Sequence, residues 1–312
     1  MTLARDLSSF PRGLTAPVVA FGNFDGVHLG HRAMLERLIS EARRRGGASV
    51  AMTFRPHPVK ILHPERAPSL ICTYDEKLRL IEASGVDVVL EVPFDRDFSE
   101  WSAERFVEDL LVGLIGASHI LLGPDSHFGK GRRGDAALLA SHGQRLGFTV
   151  EALAPVVERG GIVSSSRIRH LVADEGDVAE AAHLLGRRVT LVGDVVKGHQ
   201  RGRLLGFPTA NLRPVTELMP RTGVYAAEAR VSDGGCWPAV VNIGYKPTFG
   251  AEGLTVEAHL LDFDGDLYGD RVTLELASRV RSERRFDGVD ALVAQIGEDV
   301  ADARRLLARH AP

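Results

Sequence analysis

The stretch PVVAFGNFDGVHLGHRAML, residues 17–35, predicts how the first half of the chain folds. It begins with a run of β-branched and apolar residues typical of a buried strand, and it ends in residues spaced as in an amphipathic helix. A strand that leads into a helix in this way is the start of a β-α unit. The glycine-rich segment between the two, GNFDGVHLGH at residues 22–31, therefore lies where a strand ends and a helix begins.

The same rhythm repeats as far as about residue 185. Short apolar runs predict five strands, in residues 17–22, 47–54, 86–92, 118–123 and 148–153. Apolar residues three or four apart predict helices between them, in residues 31–45, 73–85, 102–116 and 135–147. Thr73 and Glu76 have the spacing of a capping box, which predicts a helix start near Tyr74. Repeated β-α units favour an α/β fold with a mostly parallel sheet covered on both faces.

After Gly186 the pattern changes to alternating strands separated by glycine- and aspartate-rich turns, which predicts an antiparallel sheet or barrel. Residues 286–310 have helical spacing and predict a closing helix packed on this β domain. We place the domain boundary near residues 184–188. The predicted organisation is an α/β domain in residues 1–185 followed by an antiparallel β-barrel domain with a closing helix in residues 186–312.

Composition narrows the class of protein. The chain has 312 residues, of which 44% are hydrophobic and 25% charged, with neither a secretory leader nor an apolar run of membrane-spanning length. We expect a cytoplasmic protein with small-molecule partners and without membrane association. A formal charge of -3 offers no general attraction for nucleic acid. The two cysteines, Cys72 and Cys236, suggest no disulfide framework, and we expect both thiols to be buried. The oligomeric state is left open.

The segment GNFDGVHLGH has three possible chemical interpretations. Glycines at positions 22, 26 and 30 permit tight turns and close backbone approach, and a helix that begins near His31 directs free N–H groups toward an anion. A metal site is the second interpretation, but His28 and His31 lack the i, i+4 spacing of a helical zinc pair. A glycine-rich turn with two solvated histidines is the third. The surrounding Gly, Asn and Asp favour a phosphate-binding loop.

The residues from His28 to His31 resemble the HxGH motif of the nucleotidyltransferase superfamily, and GNFDGVHLGH as a whole resembles bacterial bifunctional FAD synthetases. The resemblance implies a Rossmann-like first domain in which both imidazoles stabilise charge on the nucleotide phosphates. Catalysis of this kind relies on positioning and electrostatics. The resemblance also implies nucleotide or flavin binding by the preceding loop residues, Gly22, Asn23, Phe24, Asp25 and Gly26.

Three further segments of the first half are similar to the same family. TFRPHP, residues 53–58, resembles its TFxPHP motif, which implies that His57 lies near the flavin phosphate or the triphosphate. GPDSHFGKGRRGD, residues 123–135, resembles GxDFxFGxxRxGD and implies that Asp125 is at the nucleotide site; Ser126 stands where the family has phenylalanine. VSSSRIR, residues 163–169, resembles SSTxIR. That match implies nucleotide binding by Ser164, Ser165 and Ser166 and a catalytic role for Arg169. Taken alone, this stretch favours a simple helix N-cap instead.

The second half contains GDVVKGHQRGRLLGFPTANL, residues 193–212, which resembles the riboflavin kinase motif GxVVxGxxxGRxLGFPTANL. Thr209 and Asn211 place two oxygen ligands on alternate residues of an extended chain, so both can reach one Mg2+. The resemblance implies that further residues of the segment bind nucleotide or flavin. These are Gly198, Arg203, Phe207 and Pro208.

Three segments downstream extend the resemblance. VNIGYKPTF, residues 241–249, resembles ANIGxRPTF and implies a binding role for Asn242, with Lys246 where arginine is usual. In residues 254–269, Glu257 falls where the kinase family has its catalytic carboxylate, suited to accept the proton of the riboflavin 5′-hydroxyl. An outward-facing strand glutamate is the alternative interpretation. Residues 281–296, RSERRFDGVDALVAQI, resemble the closing helix of the kinase family and the segment that leads into it. This resemblance implies that Arg281 and Phe286 line the flavin pocket.

These resemblances imply a bifunctional enzyme that uses ATP and Mg2+. It phosphorylates riboflavin to FMN and transfers AMP onto FMN, forming FAD and releasing pyrophosphate. One alternative is a nucleotidyltransferase that charges a pantetheine or nicotinamide phosphate and carries a barrel that only binds. Another is a non-catalytic flavin-binding protein. The barrel motifs argue against the first alternative, and the intact histidines, Thr209, Asn211 and Glu257 argue against the second.

Overall fold

The structure is a computed structural model that describes residues 1–198, 202, 205–248 and 251–309. It contains two compact units. The first comprises residues 1–69 and 74–164, and the second comprises residues 70–73 and the chain from Ser165 onward. The second unit therefore includes residues 165–185, which the sequence pattern places in the first domain. The predicted domain boundary near residue 185 stays a prediction.

The first unit is built on a six-stranded sheet in which each strand pairs in parallel with its neighbours. The strand order is β1-β4-β3-β2-β5-β6. The strands are β1 (Thr2–Ala4), β2 (Val18–Phe21), β3 (Ser49–Arg55), β4 (Val88–Pro93), β5 (His119–Leu122) and β6 (Thr149–Ala152). A short hairpin follows, formed by β7 (Val157–Glu158) and β8 (Gly161–Ile162).

Helices connect these strands and cover both faces of the sheet. Val19 and Phe21 of β2 enter one hydrophobic core, and Val18 and Ala20 enter the other, because successive side chains of a strand point to opposite faces. The helices are α1 (Leu29–Arg44), α2 (Pro58–Leu62), α3 (Tyr74–Glu82), α4 (Arg96–Ser99), α5 (Ala103–Arg105), which continues as a π-helix over Phe106–Leu114, and α6 (Ala136–Leu146). Single 3-10 turns lie at Pro64–Arg66 and Lys130–Arg132. The predicted parallel α/β fold is confirmed.

The second unit contains a closed antiparallel barrel with the strand order β10-β13-β12-β11-β14-β9. Its strands are β9 (Val189–Val196), β10 (Ala210–Pro214), β11 (Gly223–Arg230), β12 (Cys236–Thr248), β13 (Ala251–Leu260) and β14 (Arg271–Arg281). Buried and partly exposed residues alternate along β9, β13 and most of β14, so one set of side chains fills the barrel and the other lies on its outer face. The predicted antiparallel barrel is confirmed.

Three helical segments accompany the barrel. α7 (Ser165–Arg169) continues as a π-helix over His170–Glu175 and is followed by α8 (Val178–Leu185), which packs on β14. The closing helix α9 (Val289–Arg309) covers part of the outer face, where its Ala303 and Leu307 form a core with Val224, Val240 and other barrel residues. This helix was predicted from its spacing, and its packing on the barrel is confirmed.

Two features of the structure differ from the sequence-based expectations or add to them. Cys72 is buried, whereas Cys236 is exposed at the start of β12, so the expectation of two buried thiols is wrong for Cys236. The reason is its position next to a hairpin turn, where its partner across the strand pair is Arg230 at the exposed end of β11. In the described part of the chain no helix is long and apolar enough to cross a membrane.

A charged cluster at the end of α1 stabilises the first unit. The Glu41 side chain is only 1% exposed, and its carboxylate accepts hydrogen bonds from Arg44 at 2.5 and 2.9 Å and from Arg45 at 2.6 Å. Arg45 also lies 3.2 Å from Nδ1 of His119 in β5. The arginine hydrogen bonds favour the ionised carboxyl and lower the pKa of Glu41 from 4.5 to about 2.

Glu41→Gln should therefore destabilise the first unit in a pH-dependent way. A carboxyl whose pKa is lowered by folding contributes stability above its unfolded pKa of about 4.5, and that contribution is lost as the pH falls toward 2. The deficit of the variant should be full near pH 7 and should shrink between about pH 5 and about pH 2. Urea unfolding followed by Trp101 fluorescence in a Trp237→Phe background reports the first unit alone, because the chain has two tryptophans.

Glu36→Gln is the matched control for this experiment, since Glu36 is an exposed residue of the same helix. A deficit in the Glu41→Gln variant that stays constant with pH would contradict the electrostatic explanation.

Candidate active sites

The loop between β2 and α1 has a fixed shape because two of its side chains lie in the hydrophobic core. Phe24 and Val27 are fully buried, with φ of 48° and 41°. This left-handed backbone is costly for residues other than glycine, so it persists only where the surroundings impose it. The Phe24 ring lies edge-on to His31, with ring centroids 5.2 Å apart, and packs in the hydrophobic core under the loop. Phe24 therefore supports the loop by its packing. Its predicted contact with substrate stays a prediction.

His28 begins helix α1 as its N-cap. Its Nδ1 accepts a hydrogen bond from the backbone N–H of His31 at 3.3 Å. An accepting Nδ1 carries no proton, so in the neutral ring the proton is on Nε2. The capping bond therefore turns His28 into a hydrogen-bond donor through Nε2. The first turn of α1 contains no acidic residue, so its backbone N–H groups and positive dipole end favour an anion.

His31 lies directly against His28, with ring centroids 3.7 Å apart and planes within 16°. Burial, followed by the neighbouring His28 and Lys77, holds the pKa of His31 well below its usual value of 6.5. Its buried Nδ1 has no hydrogen-bond partner among the described residues. Burial therefore favours the neutral form of the His31 imidazole. The catalytic role predicted for His31 stays a prediction.

His57 is built in the same way as His28, at the start of the next helix along the chain. It is buried, and its Nδ1 accepts a hydrogen bond from the backbone N–H of Val59 at 3.3 Å, which again leaves the Nε2 proton as the donor. The backbone N–H of His57 donates to the hydroxyl of Tyr74 at 2.9 Å. The end of β3 and the start of α3 are thus tied together beside this histidine.

Lys77 is a residue of this site that sequence reasoning missed. It is 4% exposed, and its Nζ donates to Thr53 Oγ1 at 2.9 Å and to the carbonyl of Phe54 at 3.1 Å. Thr53 in turn donates to the carbonyl of Asn23 at 3.2 Å. This chain of hydrogen bonds links α3, the end of β3 and the histidine loop. The sequence did contain a signal for a buried lysine, because Lys77 lies next to Leu78 on the apolar side of a predicted amphipathic helix.

The other predicted nucleotidyltransferase residues outside the first loop fall in three places. Asp125 lies on an exposed turn after β5, the strand next to β2, and Gly123 of this turn packs against Met34 of α1. Ser164 ends the first unit directly after Val163, whose carbonyl oxygen lies near Gly30. The remaining three belong to helix α7 of the second unit, namely Ser165, Ser166 and Arg169. Their assigned roles stay predictions.

The barrel brings the predicted kinase residues into one row. Glu257 of β13 pairs directly with Asn211 of β10 on one side and with Asn242 of β12 on the other. Their neighbours Leu212, Val256 and Ile243 point into the barrel, so the three polar side chains share its outer face. Directly opposed residues have Cβ atoms about 5 Å apart, which lets all three contact one ligand.

Glycines bring the preceding loop against the two predicted Mg2+ ligands. A Cβ atom on Gly198 would lie 2.2 Å from the amide of Asn211, and one on Gly202 would lie 3.2 Å from Oγ1 of Thr209. At Gly198 the backbone approaches Asn211 more closely than a residue with a Cβ would allow, and at Gly202 a Cβ would clash with the carbonyl oxygen of Phe207, 2.4 Å away. Arg203, predicted to bind phosphates, lies outside the described residues, so its role stays a prediction.

At the end of the row, Arg281 joins the barrel to the closing helix. The pairing continues from Asn242 through Val224 to Arg281. Its guanidinium forms a forked pair with Asp299 of α9, with both N···O distances 2.8 Å, and lies 5.7 Å from the centre of the Phe286 ring. Arg281 thus anchors the helix near Phe286. Flavin binding by Arg281 and Phe286 stays a prediction.

The chain thus combines a parallel α/β unit, whose first loop leads into the N-terminus of α1, with a closed antiparallel barrel. A family model described as FAD synthetase matches residues 12–167, and one described as riboflavin kinase matches residues 185–307. The chain belongs to the family of bifunctional riboflavin kinase/FMN adenylyltransferases. The suspected resemblance is therefore confirmed.

Relatives and a solved structure extend over nearly the whole chain. The chain is 40% identical over 287 residues to the bifunctional riboflavin kinase/FMN adenylyltransferase of Escherichia coli (strain K12), covering 92% of this chain and 91% of that protein. It is 41% identical to the enzyme of the same name from Pseudomonas fluorescens, covering 99% and 98%. A crystal structure titled macrolide-efflux protein from Streptococcus pneumoniae is 31% identical with a TM-score of 0.87, covering 97% and 98%.

The position of Lys77 makes a prediction about His31. Lys77→Met removes a buried positive charge that disfavours protonation of the imidazole, so the pKa of His31 should rise. Histidine ring signals followed by nuclear magnetic resonance across a pH titration, with His31 assigned by its own substitution, measure this pKa. Lys60→Met is the matched control, because Lys60 lies 6.0 Å from the centre of the Tyr74 ring that Lys77 also contacts. An unchanged pKa of His31 in Lys77→Met would contradict the assignment.

Proposed function

We propose a division of labour in which the barrel phosphorylates riboflavin to FMN and the α/β unit adenylylates FMN to FAD. Both reactions consume ATP, and the second releases pyrophosphate. The observation that supports this most strongly is the placement of two separate groups of polar side chains. One surrounds the start of α1, and the other forms the row around Glu257 on the barrel.

In the proposed adenylyl transfer, a phosphate oxygen of FMN attacks the α-phosphorus of ATP. The bond from that phosphorus to the bridging oxygen breaks, and pyrophosphate leaves. Nε2 of His28 donates a hydrogen bond to the phosphate oxygens, and neutral His31 supports the His28 ring by stacking. The N-terminal end of α1, which has no acidic residue in its first turn, adds positive potential at the same place. The protein therefore contributes positioned donors, and the attacking group belongs to FMN.

In the proposed phosphoryl transfer, Glu257 accepts the proton of the riboflavin 5′-hydroxyl as its oxygen attacks the γ-phosphorus of ATP. The bond between the γ-phosphorus and the ADP oxygen breaks. Asn211 and Asn242 flank the Glu257 carboxylate on both sides and orient the riboflavin hydroxyl and the phosphate beside it. Gly198, which lies against Asn211, and Gly202, which lies near Thr209, leave room for the phosphates of ATP beside these side chains.

The barrel residues fit a magnesium ion. Mg2+ prefers hard oxygen ligands and is held by few protein groups plus substrate phosphates. Thr209 and Asn211 supply one hydroxyl and one amide oxygen beside the loop proposed to bind phosphate. We propose that these two residues hold Mg2+, which neutralises phosphate charge when bound. We also propose that both reactions take place in the cytoplasm, where ATP is available, on small-molecule substrates.

His28→Asn tests the first assignment without removing the helix cap. The asparagine side-chain oxygen can still accept the N–H of His31, but the Nε2 donor is lost. We expect FAD formation from FMN to fall by about 100- to 1000-fold, the usual effect of removing one such donor. Riboflavin phosphorylation by the same sample should be unchanged. Equal loss of both reactions in folded protein would contradict separate sites.

Glu257→Gln tests the second assignment. A glutamine of the same shape cannot accept the hydroxyl proton, so FMN formation should fall by about 100-fold or more. Conversion of supplied FMN to FAD should be retained. Glu275→Gln is the matched control, since Glu275 is a strand glutamate of the same barrel that pairs with Arg230 at 2.6 Å. Retained phosphorylation in Glu257→Gln would favour an outward-facing glutamate without a catalytic role.

A further inference from the structure

His259 lies on the outer face of the barrel, two residues beyond Glu257 in β13. Alternate residues of a strand point to the same side, so both side chains lie on the face that carries the polar row. Across the strand pair His259 faces Val240.

The imidazole contacts two residues of the FPTAN segment. Nδ1 of His259 lies 2.7 Å from the carbonyl oxygen of Pro208. A carbonyl oxygen only accepts hydrogen bonds, so Nδ1 carries the proton and donates it. The ring of Phe207 meets the imidazole edge-on, with centroids 5.6 Å apart and planes at 87°. One side chain of β13 thus holds two consecutive residues of the preceding segment.

These contacts are placed where the strand ladder ends. β10 pairs with β13 from Ala210 opposite Ala258 to Leu212 opposite Val256. Proline has no backbone N–H, so Pro208 cannot donate a ladder hydrogen bond. The His259 side chain supplies an attachment just beyond that point. Thr209 lies between this attachment and the first paired residue, and is therefore fixed from both sides.

We propose that His259 is a positioning residue of the kinase site. By binding the Pro208 carbonyl it fixes the segment 207–209 against β13 and so holds Thr209 in place relative to Asn211 and Glu257. The proposal rests on the proposed kinase function of the barrel. His259 itself contacts the chain and not the reacting atoms, so its effect passes through the position of Thr209.

A matched pair of amide variants tests the hydrogen bond. His259→Asn places an amide N–H near the position of Nδ1, whereas the longer His259→Gln places it near Nε2, away from Pro208. We expect kcat/KM for riboflavin phosphorylation to stay within about threefold of the original protein in His259→Asn, because one neutral hydrogen bond is retained. It should fall by about 10- to 100-fold in His259→Gln, as expected for a small misplacement of a ligand.

The KM for ATP and the KM for riboflavin distinguish a positioning role from a general loss of structure. In His259→Gln the KM for ATP at fixed Mg2+ should rise, and the KM for riboflavin should change little. His259→Phe keeps a ring against Phe207 but lacks the donor, so it should behave as His259→Gln. Adenylylation of supplied FMN and the unfolding midpoint, followed by Trp237 fluorescence in a Trp101→Phe background, serve as controls for each variant.

The outcomes distinguish this inference from the function on which it rests. Absence of riboflavin phosphorylation by the unmodified chain would contradict the proposed function. An active chain with original kinetics in His259→Gln would overturn the positioning role. So would equal impairment of the asparagine and glutamine variants. Recovery by asparagine but not by glutamine supports the role.

Discussion

The first unit depends on one constraint, the fixed backbone of the loop that leads from β2 into α1. Phe24 and Val27 hold this loop by burying side chains in left-handed conformations that a solvent-exposed loop would not keep. With the loop fixed, His28 caps the helix and His31 stacks on it. The hydrogen bonds from Lys77 through Thr53 to the carbonyl of Asn23 hold the loop from the other side. The orientation of the two histidines therefore depends on the packing of Phe24 and Val27 in the core.

The barrel positions its polar side chains through strand pairing. It has no free sheet edge, so it places polar residues by register on its outer face. Pairing puts Asn211, Glu257 and Asn242 side by side, and the forked pair between Arg281 and Asp299 anchors the closing helix at the end of the same row. A shift of β13 by one residue would turn Glu257 into the barrel interior, so the hydrophobic core fixes the position of the carboxylate.

Much of the fold could be predicted from sequence because its signals are local and repeated. The capping-box spacing of Thr73 and Glu76 predicted a helix at Tyr74, where α3 begins, and the alternating apolar runs predicted both kinds of sheet. The inclusion of residues 165–185 in the second compact unit could not be predicted, because it depends on tertiary packing such as that of α8 on β14. Lys77 and His259 were missed for a related reason. Each is a single polar residue whose partner lies far away in the sequence. Lys77 donates to Thr53, and His259 donates to the backbone carbonyl of Pro208, which no sequence motif indicates.

Chromatography of the flavins after incubation of the purified chain with riboflavin, ATP and Mg2+ tests the central claim most directly. Riboflavin, FMN and FAD separate readily, so both steps are seen in one time course. We expect riboflavin to decline, FMN to form first, and FAD to follow with release of pyrophosphate. Unchanged riboflavin in the presence of well-folded protein, or FMN that accumulates without FAD, would contradict the account.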